Sequence, residues 1–173
     1  MKHLFTFLFS YLCVTTCLAQ HQQATTLRAS INFNIALNGL ATNDAGVGLG
    51  LDASFFSKRR LQALIETSAD RFIGDKLLLL DTITGKKGKS AAVYSIRVGP
   101  QLFVSENIAL AATYGPSWHV VRDFGYTLDG GFKYSITFFF GKEKSFIAKM
   151  FMVNIPVEER KIQYLGIAAG FQF

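Results

Sequence analysis

Ser117, His119 and Asp123 have the residue types of a hydrolase: a nucleophile, a base and an acid to orient it. A serine and a histidine two positions apart on an extended strand share one face, but catalysis also needs the hydroxyl within hydrogen-bond reach of the imidazole. Alternation alone does not supply that contact, so the plain expectation is that Trp118 and His119 pack at a rim. A second set, Arg28, Asp52, Glu66, Arg97 and Lys149, has the types for ion pairs. No metal-ligand spacing is present, and no phosphate loop with its Lys and Ser/Thr. Both cysteines, Cys13 and Cys17, lie near the start of the chain. No metal and no cofactor are therefore expected.

The elements that must position these residues begin after residue 19. Met1, Lys2 and His3 precede an apolar run over 4–14, followed by Thr15, Thr16, Cys17, Leu18 and Ala19. This is the layout of a secretory signal peptide, with cleavage expected after Ala19. The run is too short for a spanning helix, which needs roughly 20 apolar residues. Residues 20–173 then suit one exported domain, without a cysteine to staple it. The net charge of +6 is spread along the chain. It suits a surface beside anionic lipid head groups better than a nucleic-acid face, which concentrates its basic residues.

Half of the residues are hydrophobic, yet beyond the leader no long apolar stretch exists, which excludes a helical membrane protein. The hydrophobicity alternates instead. Over 27–38 every odd position is apolar and nearly every even one polar; over 46–55, Val47, Leu49, Leu51, Ala53 and Phe55 alternate with Gly46, Gly48, Gly50, Asp52 and Ser54. Period two marks strands with two different faces, and it makes these glycines inward-facing strand residues, not a ligand-binding loop. Further strands are expected over 61–72, 92–104, 108–120, 132–140, 146–153 and 161–173, each near the ~9–11 residues of a tilted membrane-crossing strand. Pro100 and Pro116 fall inside two of them, where a bulge or a register slip is expected.

Short connections at 57–60, 105–107 and 141–144 alternate with longer ones at 38–45, 73–90, 121–131 and 154–160. That pattern puts the short turns and both termini at one end of an up-and-down barrel. Asp129-Gly130 is expected to close a tight hairpin. So is the 85–88 segment, with the four leucines of 77–80 in its outgoing arm or, alternatively, as an exposed docking patch. The strands returning to the termini end finish in Phe55, Phe56, Phe103, Phe138–Phe140, Phe171 and Phe173. Phenylalanines at one level suit an interfacial girdle.

The last strand places Leu165, Ile167, Ala169, Phe171 and Phe173 on one face and Tyr164, Gly166, Ala168, Gly170 and Gln172 on the other. Alternation ending on an aromatic residue resembles the C-terminal signature of outer-membrane β-barrel proteins, and the size and strand number resemble the eight-stranded OmpA/OmpX type. The resemblance implies an all-β, eight-stranded antiparallel up-and-down transmembrane barrel in the outer membrane. It also implies delivery by the barrel-insertion machinery, with Phe171 and Phe173 as the assembly signal. Partners are then outer-membrane lipids and lipopolysaccharide; no nucleic acid is expected, and the chain should be a monomer.

Parity sends Arg28, Asn32, Asn34, Asp52, Gln62, Glu66, Arg97, Gln101, Thr113, Lys133 and Lys149 inward as a polar network. An eight-stranded lumen is just wide enough for side chains to fill, so structural ion pairs are expected ahead of a solute channel. The functional expectation is a non-catalytic barrel with a structural or surface-interaction role. Two alternatives stand beside it: a lipid hydrolase using the rim Ser/His/Asp site, and a soluble periplasmic lipocalin-like carrier. Alternation does not say which face is outside.

Overall fold

The computed structural model describes residues 25–38, 43–55, 60–74, 91–121, 125–157 and 160–173. They form eight antiparallel strands closed into a barrel in sequence order: β1 Thr26–Asn38, β2 Asn43–Phe55, β3 Leu61–Gly74, β4 Ala91–Ser105, β5 Ile108–Val121, β6 Gly125–Phe140, β7 Phe146–Val157 and β8 Arg160–Gln172. Pairing of β1 with β8, from Arg28↔Gln172 through Ile35↔Leu165, closes the ring. Closure leaves no sheet edge, so every strand has a neighbour on both sides for its backbone groups.

The polarity is inverted relative to a water-soluble protein. Leu27, Ile31, Phe33, Ile35, Val47, Leu49, Leu51, Ile167 and Phe171 point out and are exposed, whereas Arg28, Asn32, Asn34, Asp52, Glu66, Arg97, Lys133 and Lys149 are buried inside. A soluble carrier needs the opposite, a polar exterior around an apolar cavity. The carrier alternative is therefore set aside, and the apolar exterior is the surface that hydrocarbon would solvate.

Two sequence expectations are corrected by β6. Asp129-Gly130 is not a turn: both residues lie within this strand, opposite Ser117 and Pro116 of β5. The outward Tyr114 ring covers Gly130, whose missing side chain leaves room for it; a Cβ there would collide with the Tyr114 hydroxyl. Aromatic cover of a strand glycine stabilises extended backbone that an isolated Asp-Gly would turn. The 121–131 and 154–160 connections also shorten, because β6 begins at Gly125 and β7 and β8 pair as far as Val157↔Arg160. The 77–80 leucines and the 85–88 hairpin lie outside the described residues.

Neither proline carries a bulge. From Ser95↔Ser117 through Val98↔Tyr114 to Gln101↔Ala111 the β4–β5 register does not slip, although Val98↔Tyr114 is the one pairing between those ends. The prolines point outward and take donors from this seam. The glycine before each lets the strands approach: a Cβ on Gly99 would collide with the Ala112 carbonyl oxygen, and one on Gly115 with that of Ile96. Close contact replaces the extra residue of a bulge. The irregularities sit near strand ends instead, as between Phe103 and Ser105.

The phenylalanines at the termini end divide between two faces. Phe140↔Phe146 and Phe146↔Phe171 are register partners on the outside, and the Phe146 and Phe171 rings lie 5.0 Å apart. Phe173 is also outward. Phe103, expected in this girdle, points inward and stacks on Phe139 at 5.3 Å, because the inward parity of β4 continues from Arg97 through Gln101 to residue 103. Phe56 is outside the described residues. Near the other end, Tyr94 pairs with Trp118, an aromatic band that fits a second interface.

Candidate functional site

The lumen is built in three tiers. In the middle, Asp52 of β2, Glu66 of β3, Lys133 of β6 and Lys149 of β7 reach across from different walls. Lys149 Nζ donates to Asp52 Oδ2 and, at 3.0 Å, to Glu66 Oε1. Lys133 Nζ lies 3.1 Å from the same Glu66 oxygen, and Thr113 Oγ1 donates to Glu66 Oε2 at 2.6 Å. Lys133 Nζ also stands 4.5 Å from the Phe151 ring centre. A charge taken out of water is tolerated when it is both paired and hydrogen bonded. Glu66 meets that condition on both oxygens.

Toward the end away from the termini, Asp70 accepts from Asn34 Nδ2 at 2.8 Å, Asn32 Nδ2 at 3.1 Å and the Tyr164 hydroxyl at 3.1 Å. Arg97 Nη2 donates to Ser117 Oγ at 3.0 Å, and Ser117 Oγ is 3.1 Å from Ser95 Oγ. His119 Nδ1 faces Asp129 Oδ2 at 3.6 Å. No hydrogen bond joins Ser117 to His119 among the described residues. Asp123 lies outside the described residues, and the carboxylate beside the imidazole is Asp129. Around these groups packs an apolar cluster that includes Phe72, Val93, Val153, Ile155 and Ile162, with Val93 the register partner of both Asp70 and His119.

At the termini end, Arg28 Nη2 donates to Ser54 Oγ at 2.8 Å and to Gln101 Oε1 at 3.1 Å, while Nε donates to Gln172 Oε1 at 3.2 Å. Its guanidinium lies 5.2 Å from the Phe139 ring centre. A cavity of about 380 Å³ opens here, lined in part by Arg28, Arg60, Phe103, Phe139, Lys144 and Gln172.

Of the five charged residues singled out in the sequence, Asp52, Glu66 and Lys149 meet directly. Arg28 and Arg97 lie in separate tiers and bond neutral groups. Phe171 faces outward, and Phe173 is 79 % exposed with its N–H donating to the Leu27 carbonyl at 2.8 Å. Sequence reasoning missed Asp70 and Asp129. The even inward parity of β3, from Gln62 through Glu66, carries the signal for Asp70; that for Asp129 is masked by its Asp-Gly dipeptide.

What this arrangement can do chemically is limited. Charged side chains cross the middle of the lumen, an apolar cluster packs among the polar groups beyond it, and Ser117 is held by Arg97 and Ser95 with 0 % exposure. A closed eight-stranded barrel with an apolar outside and a filled, charged inside is, in architecture, a small outer-membrane β-barrel.

Solved structures share that fold at low sequence identity. Ail, the attachment invasion locus protein of Yersinia pestis, solved in complex with the heparin analogue sucrose octasulfate, matches with a TM-score of 0.55 and 13% identity over 86% of this chain and 99% of that one. Neisserial surface protein A matches with a TM-score of 0.58 and 13% identity, over 86% of this chain and 95% of that one. The N-terminal β-barrel domain of Pseudomonas aeruginosa OprF matches at 0.56 and 9% identity, over 88% and 100%. No protein-family model matches the sequence, and no curated protein does.

Proposed function

We propose that this chain is a non-catalytic protein of a gram-negative outer membrane. In this reading its termini and short turns face the periplasm, and its outward connections serve a structural or surface-interaction role. The observation that carries the proposal is the filled lumen. Paired charges inside an apolar exterior hold a rigid scaffold in lipid, with buried side chains from opposite walls meeting across the middle of the barrel. The absence of a Ser117–His119 hydrogen bond speaks in the same direction against a rim hydrolase.

The surface carrying the interaction is, in this reading, the 85–89 segment, where Lys86, Lys87 and Lys89 lie close together in sequence. Clustered lysines attract phosphate- and sulfate-bearing partners, and the Ail structure holds a sulfated sugar. Lipopolysaccharide is the proposed partner, with outer-membrane lipids around a monomeric barrel. Phe171 and Phe173 are the proposed assembly signal for the insertion machinery.

Refolded protein in planar bilayers should give no stepwise ion current. Its binding to lipopolysaccharide-containing vesicles should weaken several-fold in the Lys86→Gln/Lys87→Gln/Lys89→Gln variant. Sustained unit conductance would overturn the scaffold reading, and undiminished vesicle binding would overturn the surface assignment.

A further inference from the structure

Among the charged groups buried in the lumen, four cations (Arg28, Arg97, Lys133 and Lys149) stand against three carboxylates (Asp52, Glu66 and Asp70). The carboxylates are already engaged: Asp52 and Glu66 by the two lysines, Asp70 by two amides and a phenol. Arg28 therefore makes its hydrogen bonds to neutral partners alone, and Asp52 and Glu66 act on it only through space. Three of its bonds go to Ser54, Gln101 and Gln172, and the face of its guanidinium lies on Phe139. Its Nη1, although buried, finds no acceptor among the described residues, and neither does the Nε2 of the adjoining Gln101.

This underused guanidinium lines the cavity of about 380 Å³ at the termini-end mouth. Arg60, at the start of β3, and Lys144, between β6 and β7, line it from opposite sides of the mouth, and Glu106 is the one carboxylate lining it among the described residues. A buried donor without an acceptor costs about 1–3 kcal/mol, more for a charged group. An anionic oxygen offers the strongest compensation, since charge-assisted bonds are roughly twice as strong as neutral ones. The stacked Phe103 and Phe139 rings supply a flat apolar wall beside it.

We propose that the termini-end mouth of the barrel is a carboxylate-binding site, in which the Arg28 guanidinium turns toward the cavity to present Nη1 to the anionic oxygen, Arg60 and Lys144 attract it, and the Phe103–Phe139 stack packs against its carbon skeleton. A single unengaged guanidinium nitrogen beside an aromatic wall suits a carboxylate on a small organic molecule better than a phosphate, which takes several donors at once. That such a ligand arrives from the periplasm rests on the orientation proposed above; the binding chemistry does not.

The test uses the full barrel refolded in zwitterionic detergent micelles, titrated with glutarate and, separately, with inorganic phosphate, followed by amide NMR. Glutarate should saturate in the millimolar range and shift the amides of Arg28, Phe139 and Gln172. The Arg28→Gln variant should bind at least tenfold more weakly, and Arg60→Gln/Lys144→Gln a few-fold more weakly. The rim variant and the wild-type shift map decide the matter should Arg28→Gln fail to fold. Absence of glutarate binding, shifts located away from this mouth, or equal affinity in a folded Arg28→Gln barrel would each overturn the site. Saturation by phosphate without glutarate would overturn the carboxylate assignment. Because the titration uses purified protein, its failure is distinct from a failure of the outer-membrane reading, which cell fractionation addresses.

Discussion

Replacing Glu66 by glutamine removes one charge and almost no volume. The new amide oxygen could still accept from Thr113, but Lys133 would be left without an anion, since Glu66 is the carboxylate within ion-pair distance of it among the described residues. Lys149 would keep Asp52. Breaking a buried pair by removing one partner typically costs about 3–5 kcal/mol, and the Phe151 ring faces Lys133 before and after the substitution, so it offsets none of that cost. The expected loss is therefore about 3–5 kcal/mol. Replacing a whole buried pair by apolar groups is often neutral or better, so Glu66→Gln/Lys133→Met should recover about 2 kcal/mol of it. The assay is reversible urea unfolding of the barrel in phospholipid vesicles, followed by the shift between heat-modifiable gel bands and by far-UV circular dichroism. A loss below about 1 kcal/mol for Glu66→Gln, or a double variant whose cost equals the sum of the singles, would refute the claim that these charges hold one another.

Leu49 is 64 % exposed near the centre of β2; Leu49→Arg should cost about 2–4 kcal/mol in the same vesicle assay if this face meets mid-bilayer hydrocarbon, and Leu49→Ala much less. Gly99→Ala should destabilise by about 1–3 kcal/mol, because the new Cβ meets the backbone of Ala112, which cannot swing aside as a side chain would. Ser117→Ala and His119→Ala strains should keep wild-type lipid profiles by mass spectrometry, and accumulation of an uncleaved lipid in both would restore the hydrolase alternative.

Alternation carried most of the architecture into the sequence. Once Leu27, Val47 and Leu49 are assigned to one face, Arg28, Gly46, Gly48 and Asp52 fall on the other without further information. Parity therefore puts Glu66, Lys133 and Lys149 inside, but it does not specify that Glu66 holds both lysines while Arg28 takes neutral partners. Those contacts depend on how far strands on opposite walls are displaced along the barrel, which period two does not encode. Local rules fail where a neighbouring strand competes with them. Asp129-Gly130 favours a turn in isolation, yet pairing with β5 and the cover from Tyr114 extend it. Pro100 and Pro116 suggest a bulge, yet Gly99 and Gly115 absorb them by close approach. Phe103 has the residue type of the girdle but the parity of the lumen, and parity decides its direction.

The apolar outside of this barrel is the surface expected to meet an outer membrane, with the charged groups withdrawn inside. Fractionation of cells expressing the chain, with heat-modifiable migration as the sign of a folded barrel, tests it most directly. The folded form should be recovered in the outer-membrane fraction, resistant to extraction by high salt and alkaline carbonate. Recovery of folded protein in the soluble periplasm would contradict it.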